Sequence, residues 1–252
     1  MYTINRDEAS WNDKNHMKSD QPHTFDSSDS LQQIELFECL DTKACGQVSK
    51  LIKWKQYKKG TEVIPYQGES DDVYFIASGR VRVTIYSFTG KEISYQELGP
   101  GKMFGELSAI DQLPRTANVI TSESSRIGVI SRKDYWRLID QYPGVAAAAM
   151  KRLASLVRFL IDRVYQYGAL DVKDRVRMEV LRLARENMSG EDTAAIQNFP
   201  THKEIANRVN THREAVTREL NELSRMGLIE QTHRVLAVTT VSGLNELLPE
   251  YI

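Results

Sequence analysis

Apolar positions along the 252 residues change their period several times, and each change marks a new kind of element. Residues 1–29 are rich in Asp, Asn, Ser, Lys and His with little apolar periodicity, the pattern of a flexible tail. The stretch LQQIELFECLDTKACGQVSKLI, residues 31–52, has the spacing of short helices. From about residue 60 to 130, β-branched and aromatic residues alternate with polar ones in short runs. VYFIASGRVRVTIYSFTGKEISYQELGPG is broken at SG, TG and GPG, and ANVITSESSRIGVI follows. This pattern predicts antiparallel strands joined by tight turns and packed as a small sandwich or barrel, of which a jelly roll is one form.

Helical spacing resumes at SRKDYWRLIDQYP, and Pro143 with Gly144 breaks it. Beyond the break, Ala146, Met150, Leu153, Val157, Leu160, Val164 and Tyr167 fall at alternating steps of four and three. Such a heptad seam supports a parallel two-stranded coiled coil between two copies of the chain, although a helix packed on its own domain carries a similar stripe. VKDRVRMEVLRLAREN then opens another helical unit, and Pro200 precedes THKEIANRVNTHREAVTRELNELSRMGLIE, which reads as helix, tight turn, helix. Ile205, Ala206 and Val209 are the inward set of its first helix, Val216, Leu220 and Leu223 that of its second, and Gly227 ends it. IEQTHRVLAVTT, with alternating apolar residues around His233 and Arg234, fits the β-hairpin wing of a winged helix-turn-helix. The expectation is an α+β chain: a tail over 1–29, a β domain over 30–144, a dimerisation helix over 145–169 and a winged helix-turn-helix domain over 170–252.

Composition narrows the function classes. With 33 basic against 34 acidic side chains and 41% hydrophobic residues, no global charge selects a partner, so any nucleic-acid surface must be local. The longest apolar run, Val145 to Met150, is too short for a bilayer, and the N-terminus lacks a basic segment followed by an apolar one; a cytoplasmic protein without a membrane partner is expected. Cys39 and Cys45 cannot alone make a four-thiolate cluster or a Cys-only zinc site, and read as packing residues in a reducing compartment. His16 and His23 lie in the polar tail and read as solvated, so no metal is expected. The sequence has no nucleophile–base constellation, no His-rich metal spacing and no glycine-rich nucleotide loop before a helix, which argues against an enzyme.

One stretch does carry chemistry. FGELSAIDQLPRTANV, residues 104–119, places a carboxylate, Glu106, after Gly105, and a guanidinium, Arg115, beside a hydroxyl, Thr116. A sugar phosphate is gripped by a guanidinium, by backbone N–H groups at a helix start, and by a carboxylate that accepts from a ribose hydroxyl. Gly105 allows close backbone approach, and Leu107 to Ile110 can form a helical turn. Read alone, the same residues also fit a surface loop with an ion pair between Glu106 and Arg115.

The succession SGRVRV, TGKE, GPGKMFGELS and PRTANV, followed by a long helix and a helix-turn-helix, resembles the catabolite-activator and FNR family of bacterial transcription regulators over about residues 31–240. The resemblance implies a jelly-roll cyclic-nucleotide-binding domain in a homodimer that binds double-stranded DNA and works with RNA polymerase. It implies that Glu106 binds the ribose 2′-hydroxyl, that Arg115 pairs with the cyclic phosphate helped by Thr116, and that the amides of Leu107 and Ser108 lie near that phosphate. The family's Thr–Ser pair, which contacts the adenine across the dimer, corresponds to Leu160 and Ile161 here, so the base meets an apolar lid. Cyclic AMP is then the leading ligand and cyclic GMP its competitor. The alternatives are a regulator of the same family that senses another small molecule, and a nucleotide-binding regulatory subunit that acts on a partner protein.

In the second helix of the helix-turn-helix, Arg213, Glu214 and Arg218 share one face opposite Val216 and Leu220. An Arg can hold guanine O6 and N7, and a Glu can accept from cytosine N4. By itself the face also fits solvated charges with an i, i+4 pair of about 0.3–0.5 kcal/mol. The resemblance matches R-E-x-x-x-R to three base-reading residues and implies TGTGA-like half-sites in an inverted repeat. His212, Thr201, Thr211, Lys203 and Arg234 are the phosphate contacts it suggests. From Leu170 onward the chain has eleven basic and thirteen acidic residues, so DNA binding rests on where a few arginines stand.

Overall fold

The computed structural model describes residues 31–88 and 92–249. The tail, with His16 and His23, and most of the TGKE turn lie outside the described residues. Residues 31–40 form turns that bury Leu31, Ile34, Leu36 and Phe37. Asp41 then caps α1, Thr42–Val48, by accepting from the Ala44 amide, and a 3-10 turn, Ser49–Leu51, leads into the strands. Among the described residues, the helical spacing of this region is realised as the tight turns before Leu40, α1 and the 3-10 turn.

Eight strands follow: β1 Lys53–Tyr57, β2 Glu62–Ile64, β3 Val73–Ser78, β4 Val81–Tyr86, β5 Glu92–Leu98, β6 Met103–Phe104, β7 Asn118–Thr121 and β8 Ser125–Ile130. A short helix, α2, Glu106–Asp111, interrupts them between β6 and β7. They make two four-stranded antiparallel sheets, ordered β1-β8-β3-β6 and β2-β7-β4-β5. Tyr74, Ile76, Val81, Val83, Leu98, Phe104, Val119 and Ile127 fill the space between the sheets. Val73 and Phe75, on the other face of β3, pack instead with Phe37, Ile130, Tyr135, Leu138 and Val145. Burial on both faces explains why VYFIA is a continuous apolar run rather than an alternating one.

Ser131 caps α3, Arg132–Gln141, by accepting from Asp134. Pro143 stands at the first turn of α4, Pro143–Ala169, so the residue that ends one helix starts the next. Along α4, Val145 and Ala149 are buried, whereas Met150, Val157, Leu160, Ile161 and Val164 are exposed. Most of the heptad stripe is thus uncovered by this chain. Tyr167 departs from it: its hydroxyl donates to the Arg208 carbonyl at 3.3 Å and the Arg175 guanidinium lies 5.8 Å from its ring centre.

Asp171 caps α5, Val172–Glu186, and a small strand, β9, Ala194–Ile196, follows. Then come α6, His202–Arg208, α7, Arg213–Arg225, a hairpin of β10, Ile229–Thr232, with β11, Val235–Val238, and α8, Val241–Glu246. Thr201 and Glu204 form a reciprocal capping box at α6. Gly227, at φ 73°, closes α7, its amide donating to Ser224 while the Leu228 amide reaches Leu223, a Schellman end. The inward residues expected from spacing, Ile205, Ala206, Val209, Val216, Leu220 and Leu223, are all buried in one core with Val176, Val180 and Leu236. Sequence pattern did not reveal β9, which pairs with β11 and makes the wing three-stranded, because three small or apolar residues are too short a run to show a period.

Candidate functional site

The turn from β6 into α2 is built around Gly105. Its φ of 82° is left-handed, and a Cβ there would lie 2.8 Å from Arg115 Nη1 and 3.0 Å from the Asp72 carbonyl, so both backbone angle and space require glycine. Arg115 is 2% exposed although it lies in the connection to β7. Its Nη1 donates to Gly105 O at 2.7 Å, its Nη2 to Asp72 O at 2.8 Å and its Nε to Ser70 Oγ at 3.1 Å. A guanidinium has five N–H donors, so these three bonds hold it in plane and leave one on each terminal nitrogen for an anion.

Glu106, 4% exposed, opens α2, where a carboxylate suits the positive end of the helix. Its ionic partner is not Arg115. Arg152 on α4 reaches it, Nε to Oε1 at 3.7 Å, and this removes the simple picture of a surface loop with a Glu106–Arg115 pair. Burial pushes the Glu106 carboxyl above the usual range, opposed first by Arg152 and then by the helix-start amide and Arg115. Burial and the neighbouring Glu106 charge push the Tyr135 hydroxyl up to about 12.

Gly105, Glu106, Leu107, Ser108, Arg115 and Thr116 line one cavity of about 60 Å³, together with Val83, Gln96, Leu98, Arg152 and Leu156. The structure therefore brings the two ends of FGELSAIDQLPRT together. It also adds Gln96, Arg152 and Leu156, which sequence reasoning missed: an amide in a strand, and a charge and a leucine on a long helix, carry no local signal of a pocket. Leu160 and Ile161 stand outside this cavity, 44% and 61% exposed on α4.

In the C-terminal unit His212 is the N-cap residue of α7, and it is exposed together with Arg213, Glu214 and Arg218. The two arginines and Glu214 border an open depression with Thr217, Asn221 and Arg225. Burial of Val216, Glu219, Leu220 and Leu223 on the opposite side fixes which face is presented. Lys203 is exposed on α6, and the Thr201 hydroxyl is engaged with Glu204 in the cap. Thr211 is a correction: it is 7% exposed and its amide donates to Ala206 O, so it closes the turn between α6 and α7 and is not presented to a phosphate.

Two family models match this chain, a cyclic nucleotide-binding domain over residues 54–142 and a Crp-like helix-turn-helix domain over residues 156–247. Fold, site and matches define a DNA-binding transcription regulator that carries a cyclic-nucleotide-binding domain and is not an enzyme. The chain belongs to the CRP/FNR family of transcription regulators. It is 29% identical over 192 residues to the cyclic AMP receptor protein of Thermus thermophilus, covering 76% of this chain and 86% of that one. It is 27% identical over 200 residues to a CRP-like cAMP-activated global transcriptional regulator of Mycobacterium tuberculosis, covering 79% and 89%. In fold it is similar to a CooA variant from Carboxydothermus hydrogenoformans, with a TM-score of 0.73 at 20% identity over 85% of this chain and 94% of that one. Among the described residues, no helix is long and apolar enough to cross a membrane.

Proposed function

We propose that this protein is a cyclic-nucleotide-responsive homodimeric regulator with cyclic AMP as its first ligand and cyclic GMP as a competitor. The observation that carries the reading is the convergence of buried Glu106 and buried Arg115, with two guanidinium N–H groups uncommitted, on one cavity. In this reading Arg115 and Thr116 hold the cyclic phosphate, Glu106 accepts from the ribose 2′-hydroxyl, and the backbone at Leu107 and Ser108 lies along the sugar phosphate. Leu160 and Ile161 of a second copy cover the base. The exposed α4 stripe is the dimer seam, which supports dividing the chain into domains over 30–144, 145–169 and 170–252. Arg213, Glu214 and Arg218 read a TGTGA-like inverted repeat, with His212, Lys203 and Thr201 along the backbone, and RNA polymerase is the further partner; such work belongs in the cytoplasm.

The mechanism follows from the contact between Glu106 and α4. Arg152 and Leu156 of α4 form one wall of the cavity, and Arg152 faces Glu106. A ribose hydroxyl on Glu106 competes with Arg152, so ligand binding and the position of α4 are linked. Because α4 also carries the seam and leads into α5, the ligand shifts the population between two arrangements of the helix-turn-helix units.

Titration calorimetry with cyclic AMP and cyclic GMP, with Arg115→Ala as the control, tests the ligand reading. Saturable binding lost in the variant is expected, and absence of binding by either nucleotide overturns it. A gel shift on TGTGA-repeat DNA separates a DNA-binding regulator with this site preference from a subunit that acts on a partner protein.

A further inference from the structure

We propose that Tyr135 is a positioning residue for Glu106: its hydroxyl donates to the Glu106 carboxylate in the liganded protein, once a ribose hydroxyl has displaced Arg152. The role rests on the nucleotide reading of the cavity and deepens it, because Tyr135 does not itself line that cavity. Tyr135 is fully buried in α3, and among the described residues its hydroxyl has no hydrogen-bond partner. Buried hydroxyls without partners are rare, because the group gives up its bonds to water with no return.

The packing of α3 on α2 brings the two groups together. Arg132 Nε and Trp136 Nε1, on either side of Tyr135 along α3, both donate to the Ala109 carbonyl, at 2.9 and 2.8 Å. Ala109 lies in one core with Tyr135, and Glu106 precedes Ala109 by three residues, one turn back on the same face of α2. On α4, Val145 and Ala149 belong to that core as well, and Arg152 follows Ala149 by three residues. Tyr135 and Arg152 thus approach Glu106 from two different helices. Arg152 acts on the Glu106 carboxylate first and Arg115, from the connection to β7, less, while the carboxylate in turn acts on the Tyr135 hydroxyl.

The hydroxyl keeps its proton at neutral pH, since burial first and the Glu106 charge second push it up to about 12, so toward a carboxylate it can only donate. In the unliganded protein Arg152 supplies the counter-charge of Glu106 at 3.7 Å, and the tyrosine donor stands unused. Displacing Arg152 leaves a buried carboxylate in need of donors. The ribose hydroxyl is one, and Tyr135 is the unused donor beside it. A charge-assisted bond made in the liganded state and absent from the other shifts the population toward the liganded state, whereas a bond present in both would shift nothing.

Tyr135→Phe in the full-length protein keeps the ring and removes only the oxygen. The denaturant midpoint of the unliganded variant should rise or stay unchanged, because an unpartnered buried hydroxyl is lost. Titration calorimetry with cyclic AMP should show the opposite sign, an affinity lower by about 10-fold or more near neutral pH, the worth of one hydrogen bond to a charged group. That deficit should shrink toward zero as pH falls and Glu106 takes up its proton in both proteins, because a neutral carboxyl no longer gains from the donor. A tyrosine that only packs would give a deficit independent of pH. Unchanged affinity in the variant, a deficit that stays constant across pH, or a fall in the stability of the unliganded variant overturns the role of Tyr135. Absence of cyclic AMP binding by the unsubstituted protein overturns the nucleotide reading itself and the role of Tyr135 with it, and is told apart because neither protein then titrates.

Discussion

Arg208 in α6 forms an ion pair with Glu97 in β5, 111 residues earlier in the chain. Its other terminal nitrogen donates to Glu179 Oε1 at 3.1 Å, and Arg182 grips the same carboxylate with two bonds of 2.8 and 3.0 Å. Burial pushes Glu179 upward, but Arg182 and Arg208 outweigh it and hold the carboxyl below the usual range. Adjacent residues of β5 serve two sites: Gln96 lines the cavity, and Glu97 holds the first helix of the helix-turn-helix. One strand therefore touches both the ligand site and the DNA-binding unit.

Arg208→Met should loosen that junction. Removing one partner of a largely buried pair costs about 3 kcal/mol, with Glu97 left alone while Glu179 retains Arg182. Scanning calorimetry should show one transition splitting into two as the β unit and the helix-turn-helix unit uncouple; a single transition at unchanged temperature would show that the pair does not join them.

Gly105→Ala should cost about 1–3 kcal/mol from the left-handed backbone alone. The new methyl would also press on the Arg115 guanidinium, so nucleotide affinity should fall further than stability does. Denaturant midpoints and titration calorimetry on the same preparation separate the two effects.

The raised Glu106 carboxyl makes two opposite pH predictions. A carboxyl whose folded pKa exceeds its unfolded one takes up its proton first in the folded state, so its contribution to stability is present at low pH and declines as pH rises through the folded value. Ligand affinity runs the other way, because protonation removes the carboxylate acceptor. Affinity for cyclic AMP should begin to fall on acidification above the ordinary glutamate value of about 4.3, and Glu106→Gln should bind weakly without that slope. Calorimetric affinities at stepped pH that stay flat in the unsubstituted protein would rule this out.

The exposed stripe on α4 should hold the dimer. Val157→Glu combined with Leu160→Glu places two charges on residues that are 56% and 44% exposed in the single chain, so folding should be little affected while association is lost. Sedimentation velocity should give monomer for the double variant and dimer for the unsubstituted protein.

Arg213→Ala and Arg218→Ala should each lose about 1–3 kcal/mol at one G·C position of the TGTGA half-site. Lys203→Ala should weaken all sequences alike and shallow the salt dependence by about one counterion. Fluorescence anisotropy against single-base variants of the repeat distinguishes these patterns.

Much of the helix-turn-helix was legible in the chain because its signals are local. The inward faces of α6 and α7 follow from spacings of three and four, and the Gly227 end depends on residues within one turn. The strands were legible as a class, from alternation and turns, but not as two sheets with the order β1-β8-β3-β6 and β2-β7-β4-β5. Strand order depends on contacts between segments far apart, which no short window contains. Thr211 shows the same limit at one residue: its type suits a phosphate contact, and its place inside the turn removes it.

By itself the sequence determined the alternating periods of the elements, the glycine that the turn at residue 105 requires, and the residue types able to meet a sugar phosphate and a base pair. These follow from covalent geometry and side-chain chemistry, which a residue carries wherever it is placed. Only the tertiary structure decided that Glu106 faces Arg152 rather than Arg115, that Arg208 crosses to Glu97, and that Gln96 lines the same cavity as Glu106 and Arg115. A charged or amide side chain looks the same in sequence whether it is solvated, paired or waiting for a ligand, and packing alone selects among those states by deciding which groups lose their water together.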